Sequence, residues 1–359
     1  MESCAVRVTK FLLVFCIAAG GPACRCQQPD FPDTHLNLGV TLQLKGDLDG
    51  AIAEYRQALR LKPDYAKAHY NLGGALRLKG DLDGAISEFR EVLRLKPDDA
   101  KAHFNLGGAL RLRGDLDGAI AEYRQALRLE PDYLEAHNDL GVALELRGDL
   151  DGAIAEYRQV LRMKPDFPQA HNDLGSALKD KGDLDGAIAE CRQALRLKPD
   201  DPKAHYNLGG ALRLKGDLDG AIAEDREALR LKPDFPDAHL DLGVALRLKG
   251  DVDGAIAEYR QALRLKPDYP QAHNDLGGAL KNKGDLDGAI AEYRQALRLK
   301  PDDVNAHFNL GVALRLKGDL DGAISEYRQA LRLKPDFPAA QNNLAIALRL
   351  KGGVDGGHH

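Results

Sequence analysis

A segment reading AHYNLGGALRLKGDLDGAISEFREVLRLKPDD between Ala68 and Asp99 returns every 34 residues from about Pro32 to Phe337, and its first half returns once more. A fixed period in this range marks a stacked array, because one short unit has too little apolar surface to bury alone and must lean on its copies. The period also fixes how the rest is read. Each position of the unit is a column, and the side chains of one column act as one feature.

In the unit that starts at Ala66, Ala68, Leu72, Ala75, Leu76 and Leu78 form an apolar stripe at helical spacing, ended by Gly80. A second stripe, Ala85, Ile86, Phe89, Val92, Leu93 and Leu95, is closed by Pro97, which cannot continue a helix. Two helices and two short turns fill the period. Asp81 or Asp83 is placed to cap the second helix, and Arg94 and Lys96 suit its negative end. Gly73 recurs mid-helix in nine units, where glycine costs about 1 kcal/mol against alanine. The expected return is a close approach of the paired helix.

Leu72, Gly73, Ala85, Phe89, Val92 and Pro97 stand at the offsets where the tetratricopeptide repeat family has Leu-Gly, Ala, an aromatic, Ala and Pro. The chain resembles that family over nine units, residues 32–337, with a closing first helix at 338–351. The resemblance implies an all-α fold, a right-handed superhelical solenoid of helix-turn-helix repeats whose first helices line a concave groove. One column departs from it. Where the family often has tryptophan, this chain has His35, His69, His103, His137, His171, His205, His239, His273 and His307.

With 6% aromatic residues and no tryptophan, the core must be built of Leu, Ala and Ile. A net charge of −5 with acidic and basic side chains interleaved argues against a phosphate-backbone footprint, so nucleic acid is not an expected partner. Arg7 and Lys10 precede the apolar run Phe11 to Ala19, and small residues lead to Ala23. Residues 1–23 therefore read as a secretory signal, too short to span a bilayer. Cys24 resembles a lipoprotein processing site, although the usual leucine three residues earlier is absent. Export to the periplasm or cell envelope is expected, with a lipid anchor through Cys24 as the alternative. Residues 24–31 read as a linker and 352–359 as a disordered tail. Of the five cysteines only Cys191 lies in the array, so no disulfide can staple the repeats.

In the family's groove the unit at Ala66 would present Lys67, Tyr70, Asn71, Gly74 and Arg77, which share one side of a helix. The Asn71 column holds Asn37, Asn71, Asn105, Asp139, Asp173, Asn207, Asp241, Asp275, Asn309 and Asn343. An amide offers donor and acceptor, so a regular row can hold the backbone of an extended peptide whatever its sequence. The strings NLGGALRLKGD and PDFPDAHLDLGVAL resemble the repeat array of the O-linked N-acetylglucosamine transferases, where asparagines at this position hold substrate chains. That likeness implies peptide holding and no catalysis. The array runs to within a few residues of His359, so a transferase domain is not expected. Asp at four rungs departs from the transferase pattern and favours a donor-rich or cationic ligand there. The plainer explanation of the column is that Asn is common at this offset in the family, for solubility or local hydrogen bonding.

Beside it run Arg77, Arg111, Lys179, Arg213, Arg247, Lys281, Arg315 and Arg349, interrupted by Gln43 and Glu145. This stripe reads either as a grip for acidic side chains of a peptide or as a solvated face paired with Asp81-type neighbours. Tyr70, Phe104, Tyr206 and Phe308 add apolar contact. Some family members clamp a C-terminal carboxylate with Lys and Asn, but Tyr70 and Gly74 stand at those offsets, and that use is not expected.

A shared metal is not expected in the histidine column. Packed helices lie about 8 to 10 Å apart, whereas each ligand reaches a zinc ion at about 2 Å. The column is expected to be partly buried and hydrogen-bonded, with stability lost at low pH if the rings are neutral. GDLDG lacks the further ligands and closing Glu of a calcium loop. No nucleophile stands beside a base and no Gly-rich loop follows a strand, so neither catalysis, a cofactor nor a small-molecule substrate is expected. The aromatic slot of Tyr55, Phe89, Tyr123, Tyr157, Tyr259, Tyr293 and Tyr327 is broken at Cys191 and Asp225. An unpaired buried polar group costs about 1–3 kcal/mol, so a soft segment is expected there. The functional expectation is a non-enzymatic scaffold for protein or peptide partners. Its rivals are the substrate-binding array of a split transferase and a spacer that self-associates.

Overall fold

The computed structural model describes residues 31–355, with side chains as far as Gly352. The expected export signal, Cys24 and the last residues of the tail lie outside the described residues. The described chain is helical throughout and divides into two compact units, one ending at Pro131 and one beginning at Asp132.

The first unit holds α1 (Pro32–Leu44), α2 (Leu48–Leu61), α3 (Ala66–Lys79), α4 (Leu82–Leu95), α5 (Ala100–Arg113) and α6 (Leu116–Leu129). The second holds α7 (Leu134–Arg147), α8 (Leu150–Met163), α9 (Pro168–Lys181), α10 (Leu184–Leu197), α11 (Pro202–Lys215), α12 (Leu218–Leu231), α13 (Pro236–Lys249), α14 (Val252–Leu265), α15 (Pro270–Asn282), α16 (Leu286–Leu299), α17 (Val304–Lys317), α18 (Leu320–Leu333) and α19 (Pro338–Asp355). Each odd-numbered helix up to α17 packs on the helix that follows it as a hairpin. Within each unit the second helix of one hairpin packs on the first helix of the next, and successive first helices touch. This is the stacking that the period requires.

The turn motif GDLDG is accounted for residue by residue. Gly80 adopts φ 89°, a left-handed conformation open to glycine. There its N–H and that of Asp81 reach back to the carbonyls of Arg77 and Leu76 and close α3. Asp81, and not Asp83, caps α4, accepting from the N–H of Gly84 at 2.9 Å. A Cβ at Gly84 would stand 2.6 Å from that capping carboxylate, which explains the second glycine. Asp83 instead meets Arg113 of the next repeat at 3.2 Å.

The core of each hairpin is small-to-large packing. A Cβ on Gly73 would stand 3.0 Å from the Phe89 ring, and one on Gly39 only 2.5 Å from the Tyr55 ring. The mid-helix glycine thus buys room for a flat aromatic. Ala68, Leu72, Ala75 and Leu76 are buried as expected, but Leu78 is 61% exposed. It follows Leu76 by two residues, and positions two apart do not share a helix face. The last helix also departs from expectation, running to Asp355 where a disordered tail was expected from residue 352. Leu348 on it is 44% exposed while its counterpart Leu76 is 4% exposed, because among the described residues no second helix covers this one.

Candidate functional site

The face of interest is the outward side of the first helices, and it is less open than the sequence suggests. Three rungs of the amide column are tied to the preceding repeat. Asn105 donates to the Tyr70 hydroxyl at 2.8 Å, Asn207 to the Asn172 side-chain oxygen at 3.0 Å, and Asn309 to that of Asn274 at 3.0 Å. Asn105 also donates to the carbonyl of Lys101, and Asn343 to that of Ala339. Asn207 is buried and Asn71 half-buried, whereas Asn37 is exposed. The row is therefore partly a seam between repeats. The signal in the sequence was the 35-residue spacing of the tied pairs, which has meaning only once the stacking is known.

The acidic rungs are engaged as well. Asp173 accepts from Gln169 at 2.7 Å, Asp275 from Gln271 at 2.8 Å, and Asp241 from Arg213 at 3.4 Å. Burial is the leading cause that raises the carboxyls of Asp173, Asp241, Asp275 and Glu145 above the ordinary range. Asp139 is half-buried like them.

The basic column is not a solvated face. Arg77, Arg111, Lys179, Arg213, Arg247, Lys281 and Arg315 are all half-buried, and only Arg349 on the last helix is exposed. Those from Arg77 to Arg315 lie twelve residues before a position of the aromatic slot. At Gln43 and Glu145 the slot tyrosine donates its hydroxyl to the column at 2.8 Å, and Arg247 donates to the Tyr259 hydroxyl at 3.4 Å. The Nε atoms of Arg77, Arg111, Arg213 and Arg315 are enclosed without a hydrogen-bond partner. Burial, followed by the charge of Arg247, pulls the Lys281 ammonium below its ordinary value. The partners of the Asp83 position lie elsewhere, in an exposed ladder that joins Lys215 to Asp185, Lys249 to Asp219 and their counterparts in other repeats.

Groove aromatics rest on the core rather than standing free. Tyr70 meets Phe89 edge-on at 5.9 Å, and Phe308 lies 6.0 Å from Tyr327 and 5.0 Å from Phe337. Phe104 packs 5.8 Å from Tyr123, and Tyr206 packs 5.1 Å from Phe235.

The histidine column is partly buried and hydrogen-bonded, as expected, and its partners are acceptors. In each of the nine units Nδ1 lies 2.5–2.6 Å from a glutamate carboxylate of the second helix. For His69, His103, His171, His205, His239, His273 and His307, Nε2 lies 2.8–3.1 Å from the carbonyl of the proline six residues earlier. A carboxylate and a carbonyl both offer lone pairs, so a ring set between them is placed to donate from either nitrogen. The bond to Glu224 raises His205; at His273 burial pulls down, and the bonds to Glu292 and the Pro267 carbonyl outweigh it.

Asp225 and Cys191 fill the aromatic slot at 0% exposure. Neither oxygen of Asp225 has a partner. Burial above all, then the charge of Asp241, lifts its carboxyl to about 8 against the pull of Arg213. Burial likewise pushes the Cys191 thiol to about 12.

Stacked helical hairpins with these columns define a repeat scaffold, and comparison with known proteins agrees. The sequence profile of the tetratricopeptide repeat family matches residues 36–100, 148–202, 172–234, 274–338 and 318–356, and a second TPR repeat profile matches 107–146 and 245–284. The chain belongs to the tetratricopeptide repeat family. Among solved structures it is similar to the APC/C hetero-tetramer Cut9-Hcn1, with TM-score 0.62 and 18% identity over 89% of this chain and 67% of that one. It is also similar to pilF of Pseudomonas aeruginosa, with TM-score 0.53 and 21% identity over 59% of this chain and 96% of that one. At these identities the likeness is one of fold. No curated protein matches in sequence.

Proposed function

We propose that this chain is an interaction scaffold that holds an extended peptide or a partner helix along the outward side of its first helices. One observation carries the reading. Side chains able to bind a backbone or an apolar group recur there at a fixed period, beside bare glycines such as Gly74, which has nothing within 4 Å of the place a Cβ would take. A strip with hydrogen-bonding groups and a backbone-deep floor suits a ligand in extended conformation. The ladder of Lys215 and Asp185, by contrast, is an exposed set of ion pairs.

The test is a peptide library panned against the full chain. Selected peptides should lose about tenfold in affinity with Asn71→Ala or Tyr70→Ala, at unchanged helix content, and nothing with Lys215→Glu. Sensitivity to the Lys215 face alone would move the site. The transferase-like reading draws on the same asparagine column, and transfer from a nucleotide sugar by the chain together with a separate catalytic subunit would decide for it. Light scattering of the free chain addresses the self-associating spacer. Export rests on residues 1–23; a mature N-terminus near Ala23, or a lipid on Cys24, found by mass spectrometry of the processed chain would support it, and an intact Met1 would not.

A further inference from the structure

Building on that groove, we propose that the α3 and α5 face of the first compact unit, through Lys67, Arg77, Lys101 and Arg111, binds an acidic peptide segment of a partner protein. Arg77 and Arg111 are half-buried, their Nε atoms are enclosed without an acceptor, and among the described residues neither guanidinium has an ion-pair partner. A cation drawn from water without a counter-charge is an unfavourable arrangement that an incoming carboxylate relieves. The planar guanidinium takes that carboxylate through two parallel bonds. Arg77 Nη1 lies 3.9 Å from where a Cβ on Gly108 would stand, and the space over Gly74 is open. The charge thus lies at the edge of a bare floor.

The equivalent place in the second unit shows what is missing in the first. A Cβ on Gly210 would meet both Lys179 Nζ at 3.9 Å and Asp241 Oδ2 at 3.7 Å, and Arg213 also turns to Asp241. There Lys179 and Arg213 are answered from within the chain by Asp241. The position 28 residues beyond Arg77, where Arg213 finds Asp241, is the uncharged Asn105. A neighbouring cleft of about 380 Å³ sets Lys67, Lys96 and Lys101 against one carboxylate, Asp99, which already accepts the N–H of Ala102 as the cap of α5. Amides that suit a peptide backbone, set between cations that suit its side chains, favour an acidic peptide over a nucleic acid.

The experiment measures fluorescence anisotropy of a labelled peptide alternating Glu and Ser, with Gln and Lys counterparts, against the full chain at low and high salt. The Glu peptide should bind about tenfold or more tightly than either counterpart, and weaken with salt. Arg77→Gln with Arg111→Gln should cost it about tenfold, while Lys179→Gln with Arg213→Gln, whose charges already face Asp241, leaves it within about threefold. Helix content and melting of each variant establish folding. Equal binding of the Gln or Lys peptide, indifference to Arg77→Gln with Arg111→Gln, or displacement by single-stranded DNA in preference to the Glu peptide would overturn the proposal. Should those results come with peptide binding that still depends on Asn71, the groove reading stands without the acidic partner; loss of both dependences removes both.

Discussion

The hairpins α11–α12 and α13–α14 are nearly the same sequence in the same compact unit, yet one seats Asp225 where the other seats Tyr259. In α13–α14 the ring lies against Gly243, a Cβ there standing 2.5 Å from it, and Arg247 reaches the phenol. In α11–α12 a Cβ on Gly209 would stand 2.5 Å from a carboxylate oxygen, and Arg213 turns away to Asp241. The backbone hardly notices the exchange. Both hairpins keep the same cap and the same histidine–glutamate bond. A repeat array lets neighbours hold a unit whose own slot is poorly filled, so the defect should surface in local stability rather than in the fold.

The largest effect is expected from removing that defect. An unfolded aspartate ionises near 4 and Asp225 near 8, so folding takes up a proton between those values and stability falls as pH rises through the window. At pH 7 the difference corresponds to roughly 4 kcal/mol, an order of magnitude only. Asp225→Tyr should remove that cost and add the burial of a ring, and Asp225→Asn should remove the pH dependence while leaving the slot unfilled. Hydrogen exchange of α11 and α12 amides at pH 5 and pH 8 reads this directly, which suits a long array whose global melt need not be two-state. An Asn variant with the wild-type pH dependence would show that the carboxyl is not the source.

The reverse exchange, Tyr259→Asp, should import the weakness into α13–α14. Losing a buried ring costs about 3 kcal/mol or more, and exchange in α13 and α14 should then quicken as pH rises, as in α11 and α12. Protection unchanged by this substitution would mean that the slot is irrelevant to either hairpin.

A smaller effect separates slot from scaffold. Asp217 and Asp251 cap α12 and α14 through Gly220 and Gly254 at 2.9 and 2.8 Å. Replacing either by Ala should cost about 1 kcal/mol, and the same amount in each. A markedly larger loss for Asp217, measured by denaturant titration, would show that the defective hairpin leans more heavily on its cap.

Why the slot and the cap could be read from sequence, and the histidines could not, has a physical reason. Gly80, Asp81 and Pro97 act on the backbone within a few residues, so the period, the hairpin and its stops were legible, as was the aromatic slot with its breaks at Cys191 and Asp225. The His205 ring finds its partners 19 residues ahead and 6 behind, and only the fold shows that both are acceptors. The Asn71 column was legible as a position on the helix. That Asn105, Asn207 and Asn309 are spent on the preceding repeat depends on how repeats rotate against each other, which no single unit encodes. The half-burial of Arg77 and Arg111 was hidden for the same reason.

The histidine bond yields the next prediction. Because His205 is raised in the folded chain, its contribution is fully present below the ordinary imidazole value and is lost as pH rises through the raised one. The ring is only partly enclosed, so about 0.5 kcal/mol or less is expected. Asp225 changes stability in the same direction, so the two are separated in an Asp225→Asn background, where the remaining decline should lie above about pH 6 and shrink further with His205→Gln. A decline towards acid instead would mean a neutral ring.

The smallest effect should come from the ion pair that joins these two hairpins on the surface, Lys249 with Asp219. The aspartate is 79% exposed and the lysine 51%, so water already solvates both charges and holding two mobile side chains together offsets most of the attraction. A double-mutant cycle on Lys249→Ala and Asp219→Ala should give a coupling below about 0.5 kcal/mol, screened by salt. The same cycle on Lys215 and Asp185, which joins α11 to α10, should match it. If the coupling at Lys249 instead exceeded about 1 kcal/mol, the surface ladder rather than the packed neighbours would be what holds a defective hairpin in register, and the tolerance of Asp225 would have to be explained from outside the core.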